Sequence, residues 1–281
     1  MRKFLPLMAN FWGFGAFALL MPLLVVHYGD LGFGGVQIGL LIGLPPIIST
    51  FGAPLWTSLA DSTGLHSRIW VSLGLVAIAL TVLLTWAVEF WAVLGVLLMF
   101  NVVTSPFVSF TDTATMHMLG DEKHMYGRIR VGGTLGFAGF AWVGGIIAEG
   151  SGATTSFYAS AAVLGIALVF IRRLEFADAG SSGAKRDAGL AAMLREPHWL
   201  VFATLGVAGG IGFVLAAAYT YPFMEAVGAT ESTIGLAIFV GTICEVPVLF
   251  WGNRFLAALR PYTLLLATVL FTGARFVAMS F

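Results

Sequence analysis

RRLEFADAGSSGAKRDAGLAAMLREP, residues 172–197, is the only long hydrophilic stretch in the chain, and its position decides how the rest is read. Six apolar segments precede it, at about 4–28, 36–60, 69–88, 90–117, 128–149 and 154–172. Three follow, at about 198–224, 232–253 and 262–281. Each is close to the roughly 20 apolar residues that a membrane-spanning helix needs. Hydrophobic residues make up 59% of the chain and charged residues 10%, against roughly 25% charged in a soluble domain. A water-soluble globule is excluded. The fold class is all-α, a polytopic membrane protein with nine transmembrane helices.

The charges order these helices. Thirteen of the fourteen Lys and Arg residues lie in alternate connections: Arg2 and Lys3, Arg68, the run Lys123 to Arg130, the 172–197 stretch, and Arg254 with Arg260. The connections between them hold only acids, namely Asp30, Glu89, Glu149, Glu225 and Glu231. Basic loops stay on the cytoplasmic side, so a cytoplasmic N-terminus in a cell (inner or plasma) membrane is predicted. One missed helix would invert every later loop. The first segment is too long for a signal-peptide core and lacks a small-residue cleavage site, so it reads as a retained helix.

The hydrophilic stretch divides the chain into a bundle at 1–172, a cytoplasmic linker at 173–197 and a three-helix bundle at 198–281. Gln37-Ile38-Gly39-Leu40 and Thr233-Ile234-Gly235-Leu236 open segments two and eight alike, six helices apart, which suggests two homologous bundles. Pro45-Pro46 is expected to kink segment two and Pro106 segment four. Gly132, Gly133, Gly136 and Gly139 give segment five a small-residue face for close helix packing. Net charge is zero, which argues against nucleic acid as a partner. The single cysteine, Cys244, excludes an internal disulfide and a cysteine-based metal site. None of the five histidines makes a ligand pair at helical spacing, and no HExxH, P-loop or nucleophile elbow occurs. An enzyme is not expected.

Polar groups inside apolar helices are costly and each needs a reason. Asn101, Ser105, Ser109 and Asp112 share one face of segment four, as a polar seam between helices or the wall of an aqueous cavity. Asp112 and Arg130 flank one loop at similar depth, as a structural pair or as a site for a polar or anionic solute. Glu245 and Arg275 each lie about 13 residues inside a span, roughly 20 Å deep. They are expected to pair, either as a permanent salt bridge or, the preferred reading, as a proton-coupling device.

Ser105-Pro106-Phe107-Val108-Ser109-Phe110-Thr111-Asp112, followed by Tyr126-Gly127-Arg128-Ile129-Arg130-Val131-Gly132-Gly133, resembles the major facilitator superfamily, in the subgroup of the lactose and phenylpropionic acid permeases. Cys244-Glu245-Val246-Pro247 and Gly273-Ala274-Arg275-Phe276 resemble that subgroup's helix-eight acid and helix-nine arginine. Asp61, Gly64 and Arg68 are similar to part of the superfamily's cytoplasmic loop signature. The resemblance implies twelve helices, of which nine are present, so a fragment or a truncated product is expected. It implies a secondary transporter with no cofactor, driven by the proton gradient, whose partners are a small solute, protons and the bilayer. Asp112, Arg130, Phe137, Asn101 and Tyr219 are then the candidate solute-binding residues, Glu245 and Arg275 the proton-coupling pair, and Asp61, Gly64 and Arg68 the gating loop. Phe137 stands where the lactose permease has a sugar-stacking Trp, and segment seven lacks that permease's buried acids. An aromatic carboxylate is therefore expected over a sugar. The alternatives are an exporter working by antiport and a remnant that transports nothing.

Overall fold

The computed structural model describes residues 3–176, 195–252, 254, 258 and 261–278, and every regular element among them is a helix. These are α1 (Phe4–Asp30), α2 (Gly35–Thr63), α3 (His66–Leu84), α4 (Phe90–Thr104), α5 (Phe107–Leu119), α6 (Tyr126–Ser151), α7 (Ala153–Ile171), α8 (Pro197–Ala226), α9 (Glu231–Ile243), α10 (Val246–Phe250) and α11 (Pro261–Ala278). A short 3-10 turn, Lys123–Met125, leads into α6. All nine expected segments are present, two of them in two pieces. Most of the linker placed at 173–197 lies outside the described residues.

The breaks have local causes. Pro106 has no N–H to give the Val102 carbonyl, so α4 stops and α5 starts there. The freed carbonyl accepts from Trp56 Nε1 at 2.9 Å and Ser105 Oγ at 2.8 Å. Segment eight parts at Cys244-Glu245, with Pro247 in the first turn of α10. α2 is one uninterrupted helix through Pro45, Pro46 and Pro54.

Packing is built around α1 and α6. Leu7, Phe11 and Leu19 of α1 meet Gly132, Gly136 and Gly144 of α6 at one constant offset, so the two helices run parallel. A Cβ on Gly132 would lie 2.7 Å from the Leu7 carbonyl oxygen, and one on Gly136 would overlap the Phe11 carbonyl. Here glycine is a steric requirement of the crossing. α9 and α10 run antiparallel along the opposite face of α6. Gly145 meets Glu231, a Cβ on Gly235 would lie 2.7 Å from the Ala141 carbonyl, and one on Gly127 would lie 2.6 Å from that of Leu249. α8 and α11 are parallel, with Gly209 and Gly212 facing Val269 and Thr272. Parallel first and fifth spans and antiparallel fifth and eighth spans are what strict up-and-down threading requires.

The outer surface is apolar. Val36 is 81% exposed, and Trp91 and Phe271 are each 77% exposed. Seven of the nine spans are long and apolar enough to cross a membrane as described; α8 and α11 complete the set with 30 and 18 residues. Such a surface suits hydrocarbon, where only helices with internally paired backbones are stable spans.

Candidate functional site

The period of α6 decides which residues face inward. At 3.6 residues per turn, the α1 contacts and the α9–α10 contacts occupy opposite faces. Leu135, Trp142, Val143 and Ile146 fall on one intervening strip and are exposed. Arg130 and Phe137, two turns apart, fall on the other, between α1 and the α9–α10 arm, and both are half-buried.

Arg130 is held from α1. Its Nη1 donates to Asn10 Oδ1 at 3.1 Å, and its guanidinium carbon sits 4.3 Å from the centre of the Phe14 ring. A cation over an aromatic face is favoured by about 0.5–2 kcal/mol. Asn10 is buried, and its Nδ2 donates to the Pro6 carbonyl at 2.8 Å. Phe14 is fixed in turn by the Phe107 ring at 5.4 Å. Tyr126 lies near enough to both Asp112 and Arg130 to feel their charges. No direct Asp112–Arg130 ion pair occurs among the described contacts.

Asn101 lies apart from this group. Its Nδ2 donates to Leu97 O at 2.9 Å and its Oδ1 accepts from Ser49 Oγ at 3.4 Å, a contact between α4 and α2. Ser105 and Thr104 turn their hydroxyls onto their own helix backbone. The Tyr219 side chain lies outside the described residues. Asn10 and Phe14 were absent from the predicted site. The available signal was a lone carboxamide in an otherwise apolar first helix, itself an expensive group.

The constant α6 register has a direct consequence for Glu245. Opposition of Gly145 to Glu231, Ala141 to Gly235 and Gly127 to Leu249 puts Glu245 opposite Val131, one residue from Arg130. Arg128, two residues before Arg130, lies 5.0 Å from the Phe250 ring, which anchors the end of the arm. Glu245 sits at the break between α9 and α10 and is exposed. Counting along the sequence puts Glu245 level with Arg275, whose side chain lies outside the described residues. The cytoplasmic-loop residues form a separate cluster. Gly64 ends α2 at φ +70°, the left-handed turn that favours glycine. Asp61 Oδ1 lies 2.9 Å from Nε2 of the buried His66, whose ring stacks on Phe176 at 5.0 Å, and Arg68 is exposed.

Comparison with known proteins gives this architecture its place. The pattern of the MFS_1 like family matches residues 8–281. The chain belongs to this family of the major facilitator superfamily. It is similar to the maltose permease of Geobacillus stearothermophilus, at 30% identity over 94% of the chain and 68% of the relative. It is also similar to a probable 3-phenylpropionic acid transporter of Escherichia coli (strain K12), at 25% identity over 86% of the chain and 64% of the relative. The crystal structure of the nucleoside transporter NupG aligns with a TM-score of 0.73 at 16% identity, over 92% of the chain and 68% of that structure. The chain thus spans about two thirds of the length of these relatives. It is a multi-pass membrane protein of transporter type, and its family consists of transporters, not enzymes.

The first six spans meet those that follow along α6. That contact is also tied at the end of α6 remote from Arg130. Ser232 N donates to Glu149 Oε2 at 3.2 Å. Val26 of α1 and Ile234 of α9 are buried against each other beside it, with Met224, Ala229 and Ile238 around them. Among the described residues no group of three His, Cys, Asp or Glu side chains could hold a metal ion.

Proposed function

We propose that this chain carries the solute and proton sites of a proton-coupled secondary transporter, and that the solute is a small organic acid, an aromatic carboxylate in preference to a sugar. The observation that supports it is the register that puts Glu245 on the α9–α10 arm at the level of Arg130 on α6. A carboxylate and a guanidinium at one depth, on helices from either side of the 173–197 linker, form a coupling unit. With Glu245 ionised, the arm competes for the charge of Arg130. With Glu245 protonated, Arg130 is released to a solute carboxylate, which its planar fork binds in bidentate fashion. Phe137, two turns along the same strip, supplies a face for the ring of the solute. Loss of the proton returns the competitor and expels the solute. An unpaired charge at this depth costs roughly 3 kcal/mol on insertion scales, so a carrier with proton but no solute, or solute but no proton, is disfavoured.

The two bundles, 1–172 and 198–281, rock about the α6 contact with the 173–197 linker and the N-terminus in the cytoplasm. The loop of Asp61, Gly64 and Arg68 gates the inner side, and Arg275 lies near Glu245 in other stages of the cycle. Asp112 orients the solute through Tyr126. The second reading is a neutral sugar, favoured by the 30% identity with a maltose permease. Arg130→Lys decides between them. Loss of the bidentate geometry lowers affinity for 3-phenylpropionate by roughly tenfold or more, at about 1.5–3 kcal/mol for a hydrogen bond to a charged group. Unchanged uptake at normal membrane insertion removes Arg130 from the role.

A further inference from the structure

We infer that Asn10 is a specificity-determining residue: it fixes the Arg130 guanidinium in place with a neutral acceptor and so keeps its charge for an anionic solute. This rests on the carboxylate reading above and adds a residue to it. The carboxamide can point only one way. A carbonyl only accepts and a guanidinium only donates, so Nδ2 must face the Pro6 carbonyl and Oδ1 must face Arg130, as the 2.8 Å and 3.1 Å distances have it. Burial in α1 prevents water from replacing either partner. The other support for Arg130, the Phe14 ring, is also uncharged.

Asp112, across the loop from Arg130, makes no ion pair with it among the described residues. The guanidinium is therefore held by a carboxamide and a π face, in a half-buried position, without an ion-pair partner among the described residues. An aspartate at position 10 would be nearly isosteric and would reach the same nitrogen. It would form the ion pair permanently and would compete with a solute carboxylate. A neutral solute would feel no such competition. Asn10 is in this sense a positioning residue whose lack of charge is its function.

The test is equilibrium binding of 3-phenylpropionate and of maltose to the purified full-length protein, in wild type, Asn10→Asp, Asn10→Ser and Asn10→Ala. Asn10→Asp is expected to weaken 3-phenylpropionate binding by roughly tenfold or more, while maltose binding, where present, stays within about twofold. Asn10→Ser, which keeps a neutral acceptor, lies nearer wild type than Asn10→Ala. Thermal unfolding of Asn10→Asp close to that of wild type separates this loss from misfolding. If Asn10→Asp proves too unstable to purify, the order of the serine and alanine variants decides. Equal binding in all variants overturns the role of Asn10 and leaves the carboxylate reading standing. A wild type that binds no carboxylate overturns both.

Discussion

Replacement of Gly132 by Ala tests how far the site depends on the approach of α1 to α6. The new Cβ would lie 2.7 Å from the Leu7 carbonyl oxygen and 3.0 Å from Leu7 Cγ, where ordinary contact begins at 3.4 Å. The obstacle is backbone, so α1 must withdraw by about 0.7 Å locally, the difference between those two distances. Asn10 is one turn beyond Leu7 on the same helix. A withdrawal of that size takes its 3.1 Å bond to Arg130 outside hydrogen-bonding range. Overpacking costs about 1–3 kcal/mol, and the lost bond to a charged group about 1.5–3 kcal/mol of site order. Gly139→Ala is the control. It lies on the same helix, gains the same helix propensity, and its Cβ would meet nothing within 4 Å. Thermal unfolding in detergent, followed by far-ultraviolet circular dichroism, should place Gly132→Ala below Gly139→Ala by several degrees, with solute affinity falling roughly tenfold only in the former. Equal melting and equal binding in the two variants would refute the packing account.

Two further outcomes follow from contacts at the ends of α6. Glu149→Leu removes the acceptor for Ser232 N at the start of α9. Labelling of Cys244, the one exposed thiol, by a charged maleimide from the Glu149 side of sealed vesicles should speed up; an unaltered rate would show that this contact is no latch. The second outcome concerns Lys3, whose Nζ is paired with Glu122 beside α6 and holds that carboxyl below the ordinary carboxylate value. A lowered native pKa means that the pairing helps above the ordinary value and is lost as pH falls through the depressed one. Protection against hydrogen exchange in the first turn of α1, taken relative to the intrinsic rate at each pH, should therefore fall on acidification in wild type, with the step absent in Lys3→Gln.

Much of the fold is legible in the chain because hydrocarbon imposes a length and a polarity on each span. Parity of the basic loops alone demands parallel first and fifth helices, and the Gly132–Gly136–Gly144 contacts with α1 have that sense. The break at Pro106 is legible for the same kind of reason, since a missing N–H is a local fact. Lateral neighbours are not. Depth counted from the ends of segments puts Glu245 level with Arg275, and the register of α6 against α9 and α10 adds that it is also level with Arg130. Asn101 shared a helical face with Asp112 on paper, yet the break at Pro106 separates them, and Asn101 bonds to Ser49. Asn10 was invisible because nothing in its own helix announces a partner 120 residues away. Periodicity finds faces, and tertiary packing decides which faces meet.

The most direct test of the coupling unit is proton movement with solute in Glu245→Gln. The full-length protein in energised vesicles should alkalinise the medium when 3-phenylpropionate is added. The variant should still exchange labelled for unlabelled solute, since Arg130 is left to the substrate, but should move no protons. Solute-driven alkalinisation that persists in Glu245→Gln would contradict the account.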